Sequence, residues 1–151
     1  MKKPHIFLDS SALFAGVIST SGAARALLEL GEYEDIDLTI NEFVVLETER
    51  SIAVKSPHSI PHLRSIIAKS IANIIRDPSP QEIRENLYLI SDPNDIPIIL
   101  SAIRSKADFL VTHDHKHFLD DPKVAELSGL RIGTPGDALT WVRENLAGEK
   151  K

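Results

Sequence analysis

Short apolar runs alternate along the chain with longer stretches in which apolar residues recur every three or four positions. His5, Ile6, Phe7 and Leu8 make the first run, which ends at Asp9, Ser10 and Ser11, residue types that start helices. A strand therefore leads into a helix. Ala23, Ala26, Leu27 and Leu30 then fall at helical spacing, with Gly31 as the expected stop. Residues 37–40 alternate like a short strand and meet Asn41, a capping residue, before an apolar-rich helical segment over 43–54. Segment 57–72 opens on proline and lines up Ile60, Leu63, Ile67 and Ile71, which predicts an amphipathic helix. Residues 73–76 predict a brief strand, 77–80 a turn, and 81–90 a helix carrying Ile83, Leu87 and Ile90. Ile96, Ile99, Leu100 and Ile103 mark a helix over 96–106, followed at 108–112 by an apolar run of the kind buried in parallel sheets. A strand at 130–132 and a helix over 135–145, with proline in its first turn, complete the pattern.

Strands that alternate with helices predict a three-layer α/β/α architecture around a central parallel sheet. Ligands of such sheets bind beyond the carboxyl ends of the strands, and Asp9, Asn41 and Asp114 fall at that edge. A chain of 151 residues supports one core, so a single domain over 1–147 with a tail at 148–151 is expected.

Composition narrows the chemistry. With 42% apolar and 26% charged residues the chain reads as globular, and the first apolar burst is too short for a secretory core or a membrane span. A cytoplasmic location with no membrane contact is the default expectation. The absence of cysteine excludes disulfides, thiolate metal sites and cysteine nucleophiles. Oxygen and nitrogen must do the work. The formal charge of −5 speaks against a phosphate-rich partner, until one notes that two divalent ions on the carboxylates would bring the protein close to neutral.

Asp9 and Asp114 each follow a strand, Glu47 lies in the second turn of the helix after the second strand, and Asp95 opens the helix before the fourth. Brought together, four carboxylates repel one another unless a cation neutralises them, and hard oxygen donors select Mg²⁺ or Mn²⁺. Each position also has a plain structural use. Asp9 can serve a helix start, Asp95 or its rival Asp92 a cap, and Asp114 a solvated polar loop. Periodicity does not choose between Glu47 and Glu49. His113, His115 and His117 offer imidazoles suited to Zn²⁺ or Ni²⁺, but alternate loop positions do not bring three rings together reliably.

The stretches Leu8-Asp9-Ser10-Ser11-Ala12-Leu13, Val45-Leu46-Glu47-Thr48-Glu49-Arg50, Asp95-Ile96-Pro97-Ile98-Ile99-Leu100-Ser101-Ala102 and Ala107-Asp108-Phe109-Leu110-Val111-Thr112-His113-Asp114 resemble, in order, the motifs of PIN-domain nucleases. The resemblance spans nearly the whole chain. It implies strand order 3-2-1-4-5, a Mg²⁺ or Mn²⁺ site and endoribonuclease activity on RNA, as in the toxins of toxin–antitoxin pairs. It assigns catalytic metal-binding roles to Asp9, Glu47, Asp95 and Asp114, and makes Ser10 and Thr112 hydroxyls that orient those carboxylates or a water. A homodimer and an antitoxin protein are the partners it suggests, with Ile66, Ile67 and Ile71 belonging either to such an interface or to the core. Two positions depart from the family pattern. Lys116 stands where many members carry a further Asp, which puts a full second metal site in question, and Asn41 stands where Ser or Thr is frequent.

Two rival readings accompany this one. An aspartyl-nucleophile phosphatase would also keep an Asp at the end of its first strand, though Ser11 stands where a second Asp is usual. A catalytically silent module that binds RNA or protein is the other.

Overall fold

The computed structural model describes residues 3–149. Five parallel strands form one sheet: β1 (His5–Leu8), β2 (Asp37–Asn41), β3 (Asn73–Ile75), β4 (Phe109–Val111) and β5 (Arg131–Gly133), in the order β3-β2-β1-β4-β5. The expected architecture and strand order are those observed. Helices α1 (Ser10–Ile18), α2 (Ala23–Glu32), α3 (Glu42–Lys55), α4 (Ile60–Ser70), α5 (Pro80–Glu85), α6 (Ile96–Arg104), α7 (Pro122–Ser128) and α8 (Pro135–Glu149) flank it. Helix α8 runs past the expected domain end at 147, and residues 150–151 of the expected tail lie outside the described residues.

The three central strands explain the cohesion of the fold. Ile6 and Phe7 of β1, Leu38 and Ile40 of β2 and Leu110 and Val111 of β4 are all sealed from water. Neighbours along a strand point to opposite faces, so both faces of the sheet are covered. Each buried Leu or Ile contributes about 1.5–3 kcal/mol relative to exposure. Ile66 is in the core, and Ile67 and Ile71 pack against it, which places all three on the packing side of the alternative left open by the sequence.

Four local expectations change. Gly31 does not end α2. It lies inside the helix, where an added Cβ would come within 2.6 Å of the Ser70 carbonyl oxygen and 2.7 Å of Leu38. Close approach to the end of α4 requires glycine there, and the chain turns back three residues later at Glu34, in the left-handed region. The segment 57–72 begins with a 3₁₀ turn at Pro57–Ser59, and α4 buries Leu63, Ile66 and Ser70 most deeply, with Ile60, Ile67 and Ile71 of the predicted face packed partly buried against the core. Helix α5 stops at Glu85, well short of residue 90, because the Asn86 side-chain amide donates to the Glu82 carbonyl at 2.7 Å and takes the acceptor that a further helical N–H would use. Finally, residues 115–119 wind into a π-helical turn and 122–128 form α7, where the apolar pattern predicted no element.

Strand order fixes the site. The sheet grows from β1 to β2 and β3 on one side and through β4 to β5 on the other, so connections diverge between β1 and β4. Leu8 and Val111 are paired in register there, and the Asp9 N–H donates to the Val111 carbonyl at 3.1 Å. A crevice opens beyond the carboxyl ends of strands at such a switch point.

Candidate metal centre

Asp9 is the residue that leaves β1 for α1. Its backbone is extended while Ser10 onward is helical, and its Oδ1 accepts from the Ala12 N–H at 2.9 Å and from the Ser11 hydroxyl at 2.7 Å. The Thr112 hydroxyl donates to the other oxygen, Oδ2, and accepts from the Asp114 N–H at 3.0 Å. One hydroxyl thus ties the first acid to the fourth. Asp9 is 5% exposed, and burial pushes its carboxyl above the ordinary range against the opposing pull of Ser11, Thr112, Ala12 and His113.

Asp114 caps the π-helical turn, its Oδ1 accepting from the His117 N–H at 3.0 Å. The turn is closed by bonds from the Leu119 N–H to the Asp114 carbonyl and from the Asp120 N–H to the His115 carbonyl. Its wider winding brings the His117 ring back over the acids, a use of π-turns that recurs at functional sites. His117 Nδ1 lies 2.8 Å from Asp95 Oδ2, 3.2 Å from Asp114 Oδ2 and 3.9 Å from Asp92 Oδ2.

Asp95 ends a 3₁₀ turn, Pro93–Asp95, and precedes α6 without capping it. The cap of the turn is Asp92, whose Oδ1 accepts from the Asn94 N–H at 2.9 Å. Asp95 is thereby released from the structural role that its position suggested. Its Oδ2 is shielded from water and accepts no hydrogen bond of good geometry, although His117 is near. Burial raises its pKa most, His117 opposes, and the charges of Asp92, Asp114 and Asp9 add to a rise to about 6. Asn41 anchors the helix behind it. Fully buried, Asn41 caps α3 through the Val44 N–H and donates to the Pro97 carbonyl at 3.1 Å and the Ser101 hydroxyl at 2.9 Å.

Glu47 joins from α3. The Ser10 hydroxyl donates to its Oε1, which gives Glu47 rather than Glu49 a contact at the rim of the site. Ser10, Phe14, Glu47, Ser51, Lys55 and His113 line a shallow depression there, with the Lys55 ammonium 5.0 Å over the Phe14 ring.

The structure links Asp9 to Asp114 through Thr112, Asp114 to Asp95 through His117, and Glu47 to Ser10; of the four expected ligands, Asp95 alone belongs to the compact donor set found among the described residues. It also brings in residues whose part the sequence did not disclose. Asp92, Asp95 and His117 offer three donor atoms within 4.8 Å of one another. The three histidines of the run separate as expected: His117 faces the acids, His115 lies 3.5 Å from Asp120, and the His113 N–H donates to the Ser11 hydroxyl. Carboxylates crowded on one another, with an orphaned buried oxygen among them, suit a divalent cation bound by oxygen.

Comparison with known proteins bears on the family and the fold. The family model of the PIN domain matches residues 5–116. No curated protein matches the sequence. Among solved structures the chain is similar to VapBC2 from Rickettsia felis, determined bound to a DNA fragment from its promoter, with 20% identity, a TM-score of 0.62, and 86% of this chain and 98% of that chain covered. It is also similar to PAE2754 from Pyrobaculum aerophilum, with 16% identity, a TM-score of 0.63, and 93% and 96% covered. FitAcB from Neisseria gonorrhoeae shows 16% identity and a TM-score of 0.55 over 86% of this chain and 97% of that one. At these identities the likeness is one of fold.

Proposed function

The chain belongs to the PIN-domain family, and from that membership we propose that it is a divalent-cation-dependent endoribonuclease in which Asp9, Glu47, Asp95 and Asp114 hold the ion. The observation that supports the reading is the chain of contacts at the switch point of the sheet, from Asp9 through Thr112 to Asp114 and from Asp114 through His117 to Asp95. A resting structure gains nothing from acids that raise one another's charging cost, whereas a bound Mg²⁺ or Mn²⁺ turns the same crowding into affinity. Held by these carboxylates, such an ion would supply a Lewis acid for a phosphoryl oxygen and a lowered pKa for water, the chemistry of hydrolysis that leaves 5′-phosphate and 3′-hydroxyl ends.

The protein's own residues supply position. Ser11, Ala12 and Thr112 fix both oxygens of Asp9, so the carboxylate keeps one orientation without reorganising. Ser10 does the same for Glu47. Lys55 and His113, on the depression beside Glu47, offer positive charge and a ring donor to a phosphate backbone. The resemblance to toxins extends the proposal to an antitoxin partner, a homodimer and a cytoplasmic setting. Among the described residues no single helix is long and apolar enough to cross a membrane.

The test is cleavage of single-stranded RNA by the purified protein with Mg²⁺ or Mn²⁺ and with chelator. Asp9→Asn keeps the shape of the side chain, and we expect it to lose more than about a hundredfold in rate, since even groups that merely support metal ligands cost 10–100-fold. Cleavage by Asp9→Asn at the wild-type rate would sink the assignment. Trapping of an acyl phosphate on Asp9 would favour the phosphatase instead.

A further inference from the structure

The site contains a nitrogen donor that the four carboxylates do not account for. His117 Nδ1 sits 2.8 Å from Asp95 Oδ2 and 3.2 Å from Asp114 Oδ2, with Asp92 Oδ2 at 3.9 Å. Donors at about 2.1 Å from an ion on adjacent corners of an octahedron stand about 3.0 Å apart. The separation from Asp95 has that spacing, and Asp92, Asp95 and His117 form a set of donors all within 4.8 Å of one another that does not include Asp114. The ring is also held by more than attraction to the acids. The π-helical turn fixes its backbone, the His117 N–H is bonded to Asp114 Oδ1, and the side chain is only 27% exposed. Asp95 Oδ2, the atom nearest the ring, accepts no hydrogen bond, so the imidazole lies beside it without satisfying it.

We propose that His117 is a direct ligand of the bound cation through Nδ1, making a mixed nitrogen and oxygen site with Asp95 and Asp92 that prefers a first-row transition ion, Mn²⁺ or beyond, to Mg²⁺. The inference rests on the metal-dependent reading above and specifies it. Mg²⁺ is bound by oxygen and keeps much of its water, whereas imidazole nitrogen suits transition ions. Ligation requires the neutral ring with its proton on Nε2, leaving the Nδ1 lone pair for the ion. The alternative is that His117 only pairs with the acids and is displaced when an ion enters. The two roles predict opposite outcomes when the ring is removed.

The experiment compares the full-length wild type with His117→Gln by calorimetric titration with Mn²⁺ and, separately, Mg²⁺, and by pulsed electron paramagnetic resonance of the Mn²⁺ complex. Melting curves in chelator check that the variant is folded. The expected wild-type result is tenfold or more preference for Mn²⁺ and nitrogen-14 modulation from a directly bound imidazole. His117→Gln is expected to lose that modulation, to weaken Mn²⁺ about tenfold or more, and to change Mg²⁺ affinity less. Modulation absent from the wild type, or persisting in His117→Gln, overturns the proposal, as does a variant that binds Mn²⁺ as tightly or more tightly. A wild type that takes up no Mn²⁺ overturns the metal reading itself, and Mn²⁺ bound without nitrogen coupling overturns the ligand alone.

Discussion

The two ends of the sheet treat their acids differently. At the amino end, Asp108 immediately precedes β4, and its Oδ2 accepts from the His5 N–H at 2.8 Å, tying β4 to the start of β1. The pairing continues in the backbone, where the Asp108 N–H donates to the His5 carbonyl at 2.7 Å. There a carboxylate is matched to a donor that needs a partner. At the carboxyl end of the same two strands Asp9 and Asp114 share one hydroxyl, Asp95 carries an oxygen with no hydrogen bond, and the charges of Asp92, Asp114 and Asp9 add to the charging cost of Asp95. Residue type is the same at both ends. What separates Asp108 from Asp95 is whether its neighbours already answer its charge, and only the second end invites a cation.

The largest effect that breaks this contrast is removal of the shared hydroxyl. Thr112 is fully buried, and Thr112→Val keeps its shape while deleting the donor to Asp9 and the acceptor for the Asp114 N–H. We expect metal-dependent cleavage to fall about 10–100-fold and stability to fall by about 1–3 kcal/mol for the unpaired N–H. RNA cleavage rates and chemical denaturation measure the two. A variant with full activity would show that the hydroxyl does not orient the acids.

A smaller effect follows from pH. The carboxyl of Asp95 titrates near 3.8 in the unfolded chain and at about 6 in the folded one, so between those values the folded protein binds more protons. Its native-state cost is absent below pH 3.8, grows as pH rises, and is complete above about 6. In chelator, the stability of the wild type relative to Asp95→Asn is therefore expected to decline between pH 4 and pH 6 and to level off above. Since ions compete with those protons, Mn²⁺ is expected to restore the difference above pH 6 and to lose its hold below. Melting temperatures of both proteins across that range, with and without Mn²⁺, decide it. Parallel curves would mean that Asp95 is not charged against its neighbours.

The sequence discloses the frame of this site better than its lining. Strands β1 and β4 with Asp9 and Asp114 just beyond them were legible because short apolar runs and capping residues are local signals. Asn41 was legible as a cap, but its bonds to Pro97 and Ser101 were not, since they join residues far apart in the chain. Periodicity alone could not prefer Glu47 to Glu49; that choice came with the family motif, and the Ser10 contact agrees with it. The π-helical turn had no signal at all. Its bonds span five residues rather than four, and a run alternating histidine with Asp114 and Lys116 has the composition of a solvated loop. The sequence consequently presents three equivalent imidazoles, and the turn singles out His117. Helix α7 was missed for a related reason. Only Val124 of its seven residues is buried, too little to make a pattern.

The amino end gives the smallest effect and the sharpest control. Asp108→Ala removes the acceptor of the His5 N–H and nothing at the opposite edge. A hydrogen bond to a charged group contributes about 1.5–3 kcal/mol, and the loss here is expected at the lower end because the pair is only partly buried and water can replace the carboxylate. Mn²⁺ affinity and RNA cleavage by the folded variant are expected to stay within about twofold of wild type. Four strand residues and their packing separate the two edges, and distant sites with no shared partner act independently. A loss of metal binding in Asp108→Ala, at a temperature where the variant is fully folded, would show that the two ends are coupled through β1 and β4. The contrast between a satisfied acid and a waiting one would then be a property of the whole sheet and not of each edge.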